Sequence, residues 1–184
     1  MTNANAKTET TLISIYLNTW KNYNENGAAG GFWVELPCDL DEAFERLAKN
    51  THEDPDEMEV FINDVDCYIS GAEISENDDI EELNDIAEEL ERLPSDDIEA
   101  LEAILEADGC TLSRAVKILE SGGYIYYSGE TLENIAAEWV NDGCFGDIPK
   151  SIVNYIDYSA IARDLSFDGY TETENGVICI ICAY

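Results

Sequence analysis

Basic residues are scarce in this 184-residue chain. Nine Lys and Arg stand against 41 Asp and Glu, there is one histidine, and the net charge is −32. A charge of that size repels nucleic acid and anionic membranes and is drawn to basic surfaces, including those that normally hold DNA. Long apolar runs are also missing. The longest, GVICIICAY near the C-terminus, is about half of the roughly 18 residues that a membrane span needs. The opening MTNANAKTETT has no apolar core of a secretory signal, so the expectation is a cytoplasmic protein that does not engage the membrane. Signatures of catalysis are lacking as well. His52 sits in a turn without a nucleophile signature nearby, and GAAGG (residues 27–31) has the wrong flanks for a phosphate loop and lies among acids that would repel phosphate. No enzyme activity and no cofactor are expected.

The six cysteines (Cys38, Cys67, Cys110, Cys144, Cys179 and Cys182) read as free, buried thiols of a reducing compartment. Cys179 and Cys182 form a CxxC, but no second pair exists to complete a metal site. On a strand, positions i and i+3 point to opposite faces, so the two do not converge on a metal. No metal site is expected.

What the chain does have is material for a core: 45 % hydrophobic and 10 % aromatic residues, unlike a disordered acidic tail. The pattern predicts an α+β protein of three small modules. Residues 1–11 read as a disordered tail. A β-rich module over 12–70 holds strands at Leu12–Asn18, Gly31–Leu36 and Met58–Asp64, a loop at Asn22–Gly31, and a helix at Leu40–Lys49 capped by Asp39 with Glu42 at the capping-box position. A helical module over 71–122 holds three helices. The first carries Ile80, Leu83, Ile86, Ala87 and Leu90 on one stripe and ends at Pro94. The second is capped by Ser95, with Ile98, Leu101, Ile104 and Leu105 inward, and the third by Thr111. An α+β module over 123–184 has a strand at Tyr124–Ser128, a helix capped by Thr131, short helical segments at Ile148–Tyr155 and Tyr158–Leu165, and a hairpin turning at Asn175-Gly176 in type I′ geometry. Trp20, Trp33 and Trp139 read as core anchors.

The charge is concentrated. Between Glu53 and Asp108 there are 23 acidic residues and one base, Arg92, a net of −22 over 56 residues; the other 128 residues carry −10. Within Glu76–Glu91 nine of sixteen residues are acidic. Read as one continuous helix, that stretch contains nine like-charge pairs at i,i+3 or i,i+4, which cost roughly 2–4 kcal/mol in total before screening. Mixing Lys with Glu would give solubility and turn this repulsion into attraction. A duplex, by comparison, carries about twenty phosphate charges per ten base pairs. The candidate DNA-like surface is therefore Glu57, Glu59, Asp64, Asp66, Glu73, Glu76, Asp78, Asp79, Glu81, Glu82, Asp85, Glu88, Glu89, Glu91, Asp96, Asp97, Glu99, Glu102, Glu106 and Asp108.

Other readings of the acids compete. A solvated helix face is the ordinary reason for acidic residues, but three successive acidic elements share a single base. A halophilic surface would spread its charge over the whole chain. The run from Asp64 to Gly71 begins like an EF-hand loop, yet its sixth position is Ile69 and its twelfth Ser75, which fails both the turn and the bidentate ligand. An acidic module that binds some other basic protein or divalent cations stays open as the alternative function.

Three stretches resemble the ArdA antirestriction family: IYLNTWKNYNENGAAGGFWVEL (Ile15–Leu36), SGETLENIAAEWV (Ser128–Val140) and YIDYSAIARDL (Tyr155–Leu165). The last is the most specific, with Tyr155, Asp157, Tyr158, Ala162, Arg163 and Asp164 matching a Tyr-x-Asp-Tyr-x-x-x-Ala-Arg-Asp run. The resemblance implies an elongated, three-module homodimer joined through its C-terminal module. It implies a DNA mimic that occupies the DNA groove of type I restriction–modification enzymes at their methyltransferase core, and does not itself bind nucleic acid. It also implies an antirestriction motif near Gly129–Asp142, with Glu130, Glu133, Glu138 and Asp142 as its acids.

Overall fold

The structure is a computed structural model that describes residues 11–181. All of the expected N-terminal tail but Thr11, and Cys182 of the CxxC, lie outside the described residues. The protein is α+β, with two three-stranded antiparallel sheets among the described residues. Its residues group into two compact units, Met1–Ile69 with Glu73–Leu93, and Ser70–Ala72 with Pro94–Tyr184. The helices that the sequence places together over 71–122 are divided between these units.

The first unit runs β1 (Ile13–Thr19), α1 (Trp20–Asn26), β2 (Phe32–Leu36), α2 (Leu40–Thr51), β3 (Val60–Cys67) and α3 (Ile80–Leu90). Its sheet has the order β2-β1-β3. Alternation along β1 buries Ile13, Ile15 and Leu17 on one face. Val34 and Leu36 of β2, Ala43, Leu47 and Ala48 of α2, and Leu83, Ile86, Ala87 and Leu90 of α3 are buried with them. The β1–β3 register shifts between Tyr16, opposite Asp64, and Leu17, opposite Ile62, leaving Asn63 as the extra residue of a bulge. The cap on α2 is as expected: Asp39 Oδ1 accepts from Glu42 N at 3.1 Å.

Two expectations need correction in this unit. Trp20–Asn26 is a helix, although its Asn-rich sequence reads as loop. Thr19 Oγ1 accepts from Asn22 N at 3.1 Å as its N-cap, and buried Asn18 accepts from Asn22 Nδ2 at 2.8 Å, so side chains that usually make turns instead brace a helix start. Trp33 is not a core anchor. It is 46 % exposed and makes a T-shaped contact with Tyr16, with centroids 5.5 Å apart. Trp20 does anchor, stacked on Phe61 at 3.9 Å.

The second unit runs α4 (Ser95–Asp108), α5 (Leu112–Ser121), β4 (Tyr124–Ser128), α6 (Leu132–Asn141), a 3₁₀ turn (Val153–Tyr155), α7 (Tyr158–Phe167), β5 (Tyr170–Thr173) and β6 (Gly176–Ile180). Its sheet has the order β4-β6-β5. Ile135 and Ala136 of α6, Leu165 of α7 and Val177 of β6 form a buried cluster against which Trp139, Tyr127 and Tyr170 pack. Helix α4 buries Ala100, Leu101, Ala103, Ile104 and Leu105, a wider face than the stripe read from the sequence, because it packs on both α5 and the sheet.

Thr111 and Thr131 cap α5 and α6 as expected. Ser95 does not cap α4: it is the first helical residue, the N-cap position is Pro94, and no side chain bonds there. The hairpin turn is also displaced by one residue. Thr173 pairs with Gly176, so the loop is Glu174-Asn175, and neither has the positive φ that a type I′ turn demands. Gly176 serves the strand pairing instead. Its φ is 149°, and a Cβ there would lie 2.2 Å from Tyr127 O. The thiols Cys38, Cys67, Cys110, Cys144 and Cys179 are free, but four are half-buried and Cys144 is exposed, so none sits in the core as expected.

Candidate acidic surface

Helix α3 carries the densest charge, and its sequence explains both of its faces. Leu83, Ile86, Ala87 and Leu90 recur at helical spacing and are buried, which turns Glu81, Glu82, Asp85 and Glu88 to solvent and leaves Glu89 half-buried. The helix is shorter than the acidic run. It starts at Ile80, and Asp79 is its N-cap, accepting from Glu81 N at 2.9 Å and Glu82 N at 3.2 Å. Asp78 closes the preceding turn by accepting from Ser75 N at 3.0 Å and Ser75 Oγ at 2.8 Å. Glu88 pairs with Arg92 one turn on. The acids at the helix start therefore lie at the positive end of the helix dipole and satisfy orphan amides. Like-charge pairs inside the helix reduce to four, all involving Asp85: with Glu81, Glu82, Glu88 and Glu89.

Asp64 and Asp66 are both exposed on β3, two residues apart and hence on one face of the sheet. That strand conformation is incompatible with an ion-binding loop, and among the described residues no group of three or more His, Cys, Asp or Glu could hold a metal ion. Glu57, Glu59, Glu73, Glu76 and Glu91 are exposed in the flanking segments. The sheet adds one carboxylate that the acidic stretch does not contain. Glu35 of β2 pairs with Ser14 of β1, whose other neighbour is Asp66. Period-two alternation in GFWVEL is the signal for it, since it places Trp33 and Glu35 on the same face.

The acids of α4 behave differently. Asp96, Glu106 and Asp108 are exposed, whereas Asp97, Glu99 and Glu102 are half-buried. Glu99, Glu102 and Glu106 share one helix face and are tied to neutral donors. Glu99 accepts from Ser128 Oγ at 3.0 Å. Glu102 accepts from Ser70 N at 2.9 Å and Asn175 Nδ2 at 3.0 Å, and Glu106 accepts from Glu174 N at 3.0 Å. Their charge is felt by the strand beneath. Burial, with Asp97 added, pushes the Tyr124 phenol up. Burial chiefly, then Glu99 and Glu102, raises Tyr126 against a lowering hydrogen bond with Ser128. Asp108 pairs with Arg114 at 3.2 Å.

The four acids of the motif near α6 are all exposed but do not form one cluster. Glu130 precedes the N-cap Thr131. Glu133 lies in the first turn and accepts from Ser159 Oγ of α7. Glu138 is on the last turns of α6, and Asp142 is its C-cap. His52 is exposed at the C-terminal cap of α2, in the left-handed conformation at φ 59°.

The family model for antirestriction protein (ArdA) matches residues 15–179, nearly the whole chain. The chain belongs to the ArdA antirestriction family. All three stretches carrying the resemblance fall within this match, including the run Tyr155–Leu165, which supplies Asp157 as the N-cap of α7. No curated protein sequence matches the chain. Membership gives an antirestriction protein, a class defined by opposing restriction enzymes. No helix among the described residues is long and apolar enough to cross a membrane.

Proposed function

We propose that this ArdA protein inhibits type I restriction–modification enzymes by occupying their DNA groove as a duplex mimic. The observation that carries the reading is the charge that α3 presents, four exposed carboxylates and the half-buried Glu89. An 11-residue helix is about 16 Å long, and α3 carries five carboxylates, Glu81, Glu82, Asp85, Glu88 and Glu89, in that length. One strand of a duplex, with a phosphate about every 3.4 Å, presents about five charges over the same distance. Asp64, Asp66 and the acids of the segments beside α3 extend the negative field. Like-charge repulsion in the unbound protein is relieved against the Lys and Arg of a DNA groove, and condensed ions are released there as they are when DNA binds.

The test is competition for a purified type I methyltransferase bound to labelled DNA. The parent protein displaces the DNA. A variant with Glu81, Glu82, Asp85, Glu88 and Glu89 changed to Gln or Asn displaces it far less, with a flatter dependence on salt. Equal displacement by both proteins across a range of salt concentrations refutes the mimicry. Glu99, Glu102, Glu106 and Asp79 are kept in this variant, because each accepts hydrogen bonds that stabilise the fold. The inhibitor acts as a homodimer in this reading, supported by large exposed apolar residues in the second unit: Phe145, Ile152, Tyr155, Phe167 and Ile181. Light scattering of the purified chain gives its oligomeric state directly.

A further inference from the structure

The face of the β2-β1-β3 sheet turned away from the core combines exposed aromatics with carboxylates. Register places Trp33 beside Tyr16 and Tyr16 beside Asp64 in one row, and Glu35 beside Ser14 and Ser14 beside Asp66 in the next. Trp33 is 46 % and Tyr68 62 % exposed, while Glu35, Asp64 and Asp66 are exposed as well. Tyr68 follows Asp66 by two positions, and its hydroxyl donates to Asp66 at 3.4 Å. Tyr16 is held by its hydroxyl bond to Ala28 O at 2.8 Å and by its T-shaped contact with Trp33, so the aromatic platform is preorganised. An indole left half in water on a strand has no role in the core of this unit.

We infer that this sheet face is a contact surface for arginine side chains of a basic protein partner. Exposed aromatics on a sheet could also stack unpaired bases, but Glu35, Asp64 and Asp66 would repel the phosphates joining those bases, and the net charge of −32 adds to that repulsion. The same charges oppose a second copy of the chain and an anionic membrane. A guanidinium answers both components at once, because it stacks flat on an indole or phenol and forks to a carboxylate, whereas an ammonium is a hydrated point charge. The unit already uses this chemistry internally: the Arg46 guanidinium lies 3.9 Å from the Phe32 ring centroid. The inference rests on the proposed function only in taking the partner to be a basic protein. It adds that part of the recognition is selective for arginine over lysine.

The experiment is a titration of the full chain with two labelled peptides of equal length and charge, one of alternating Arg and Gly, the other of alternating Lys and Gly, at fixed low salt. The arginine peptide binds about three- to fivefold more tightly. Trp33→Ala brings it down to the level of the lysine peptide and leaves the lysine peptide unchanged, and Trp33→Phe keeps most of the preference. Circular dichroism checks that the variants fold, and the triple variant Glu35→Gln, Asp64→Asn, Asp66→Asn, which leaves the platform's rings in place, weakens both peptides. Equal affinity of the parent for the two peptides, or an arginine preference that survives Trp33→Ala, overturns the inference, as does tighter binding of a short oligothymidylate than of either peptide. The α3 variant separates the two readings. If it loses DNA competition while Trp33→Ala leaves the peptides untouched, mimicry stands and the arginine surface falls. If it competes like the parent while the arginine preference depends on Trp33, the reverse holds.

Discussion

Replacing Asp85 by Lys should stabilise the protein while weakening its function. Asp85 is exposed at the middle of α3, beyond the reach of either helix end, and it takes part in all four like-charge pairs of that helix: with Glu81 and Glu82 one turn before, and Glu88 and Glu89 one turn after. At about 0.2–0.5 kcal/mol per pair, Asp85→Asn removes about 1–2 kcal/mol of repulsion. Asp85→Lys replaces each repulsion by an attraction of similar size and should gain about 2–4 kcal/mol, with a few tenths more from the better helix propensity of Lys. The Glu88–Arg92 pair competes for one of the four carboxylates, so the lower half of that range is expected. Urea denaturation followed by circular dichroism in 10 mM salt measures the gain as a shift in midpoint at constant slope. At 1 M salt the screening length is about 3 Å, less than the ~5–6 Å between such side chains, and most of the gain should vanish. An unchanged midpoint at low salt, or a gain equally large at 1 M salt, would refute the assignment of the repulsion to these four pairs. In the DNA-competition assay the same variant should be the weaker inhibitor.

Three further outcomes follow from the hydrogen bonds and thiols. Asp79→Ala removes the N-cap of α3 and should cost about 1 kcal/mol, whereas Asp79→Asn keeps the acceptor and should cost a few tenths, both read from thermal melts. Glu102→Ala removes the acceptor of Ser70 N and Asn175 Nδ2 and should destabilise the second unit by about 0.5–1.5 kcal/mol; a melt unchanged within error would show that those bonds are fully replaced by water. Alkylation of the native protein with iodoacetamide, read site by site by mass spectrometry, should be fastest at exposed Cys144. At Cys67 burial is the chief cause that raises the thiol pKa. A raised pKa means less thiolate at a given pH, so labelling of Cys67 should climb only at pH above the ordinary thiol range. Cys67 reacting as fast as Cys144 near neutral pH would contradict its burial.

Strands were legible where alternation is strict, as in Ile13–Leu17 and Phe32–Leu36, and helices where an apolar stripe meets a cap, as in Leu40–Thr51 after Asp39. The failures have physical causes. Helix α1 was hidden because Asn is a turn former by local preference, and the same residue types serve turns and caps alike: here the buried Asn18–Asn22 bond and the Thr19 cap, both within four residues, commit the segment to a helix. The Asn175-Gly176 pair reads as a turn, yet the glycine is needed for close approach to Tyr127 O, a demand that leaves the same letter in the sequence. At the candidate site, density of charge was legible and its disposition was not. Glu99, Glu102 and Glu106 occupy a polar stripe like that of α3, and nothing in their spacing tells a carboxylate beside a sheet from one facing water. Trp33 and Glu35 fell outside the acidic stretch, and their shared face shows only once β2 is paired with β1.

The structure also bears on how a fold tolerates so few bases. Its carboxylates are stabilised largely by neutral donors. Asp39, Asp79 and Asp157 cap helices through backbone amides, and Glu102 and Glu106 accept from amides of the chain and of Asn175. Each such contact stabilises an anion without cancelling its charge, as a lysine would. Helix starts contribute further, because Asp41, Glu42, Glu81, Glu82, Asp96 and Asp97 sit in first turns, where the dipole favours negative charge. The repulsion counted from sequence as nine pairs therefore falls to four in α3, and part of the remaining negative field is held in place by dipoles. A protein selected only for solubility would have no reason to choose dipoles over lysines. One selected to present an uncancelled negative surface to a basic groove would, since every lysine added for stability would subtract from the charge the partner meets.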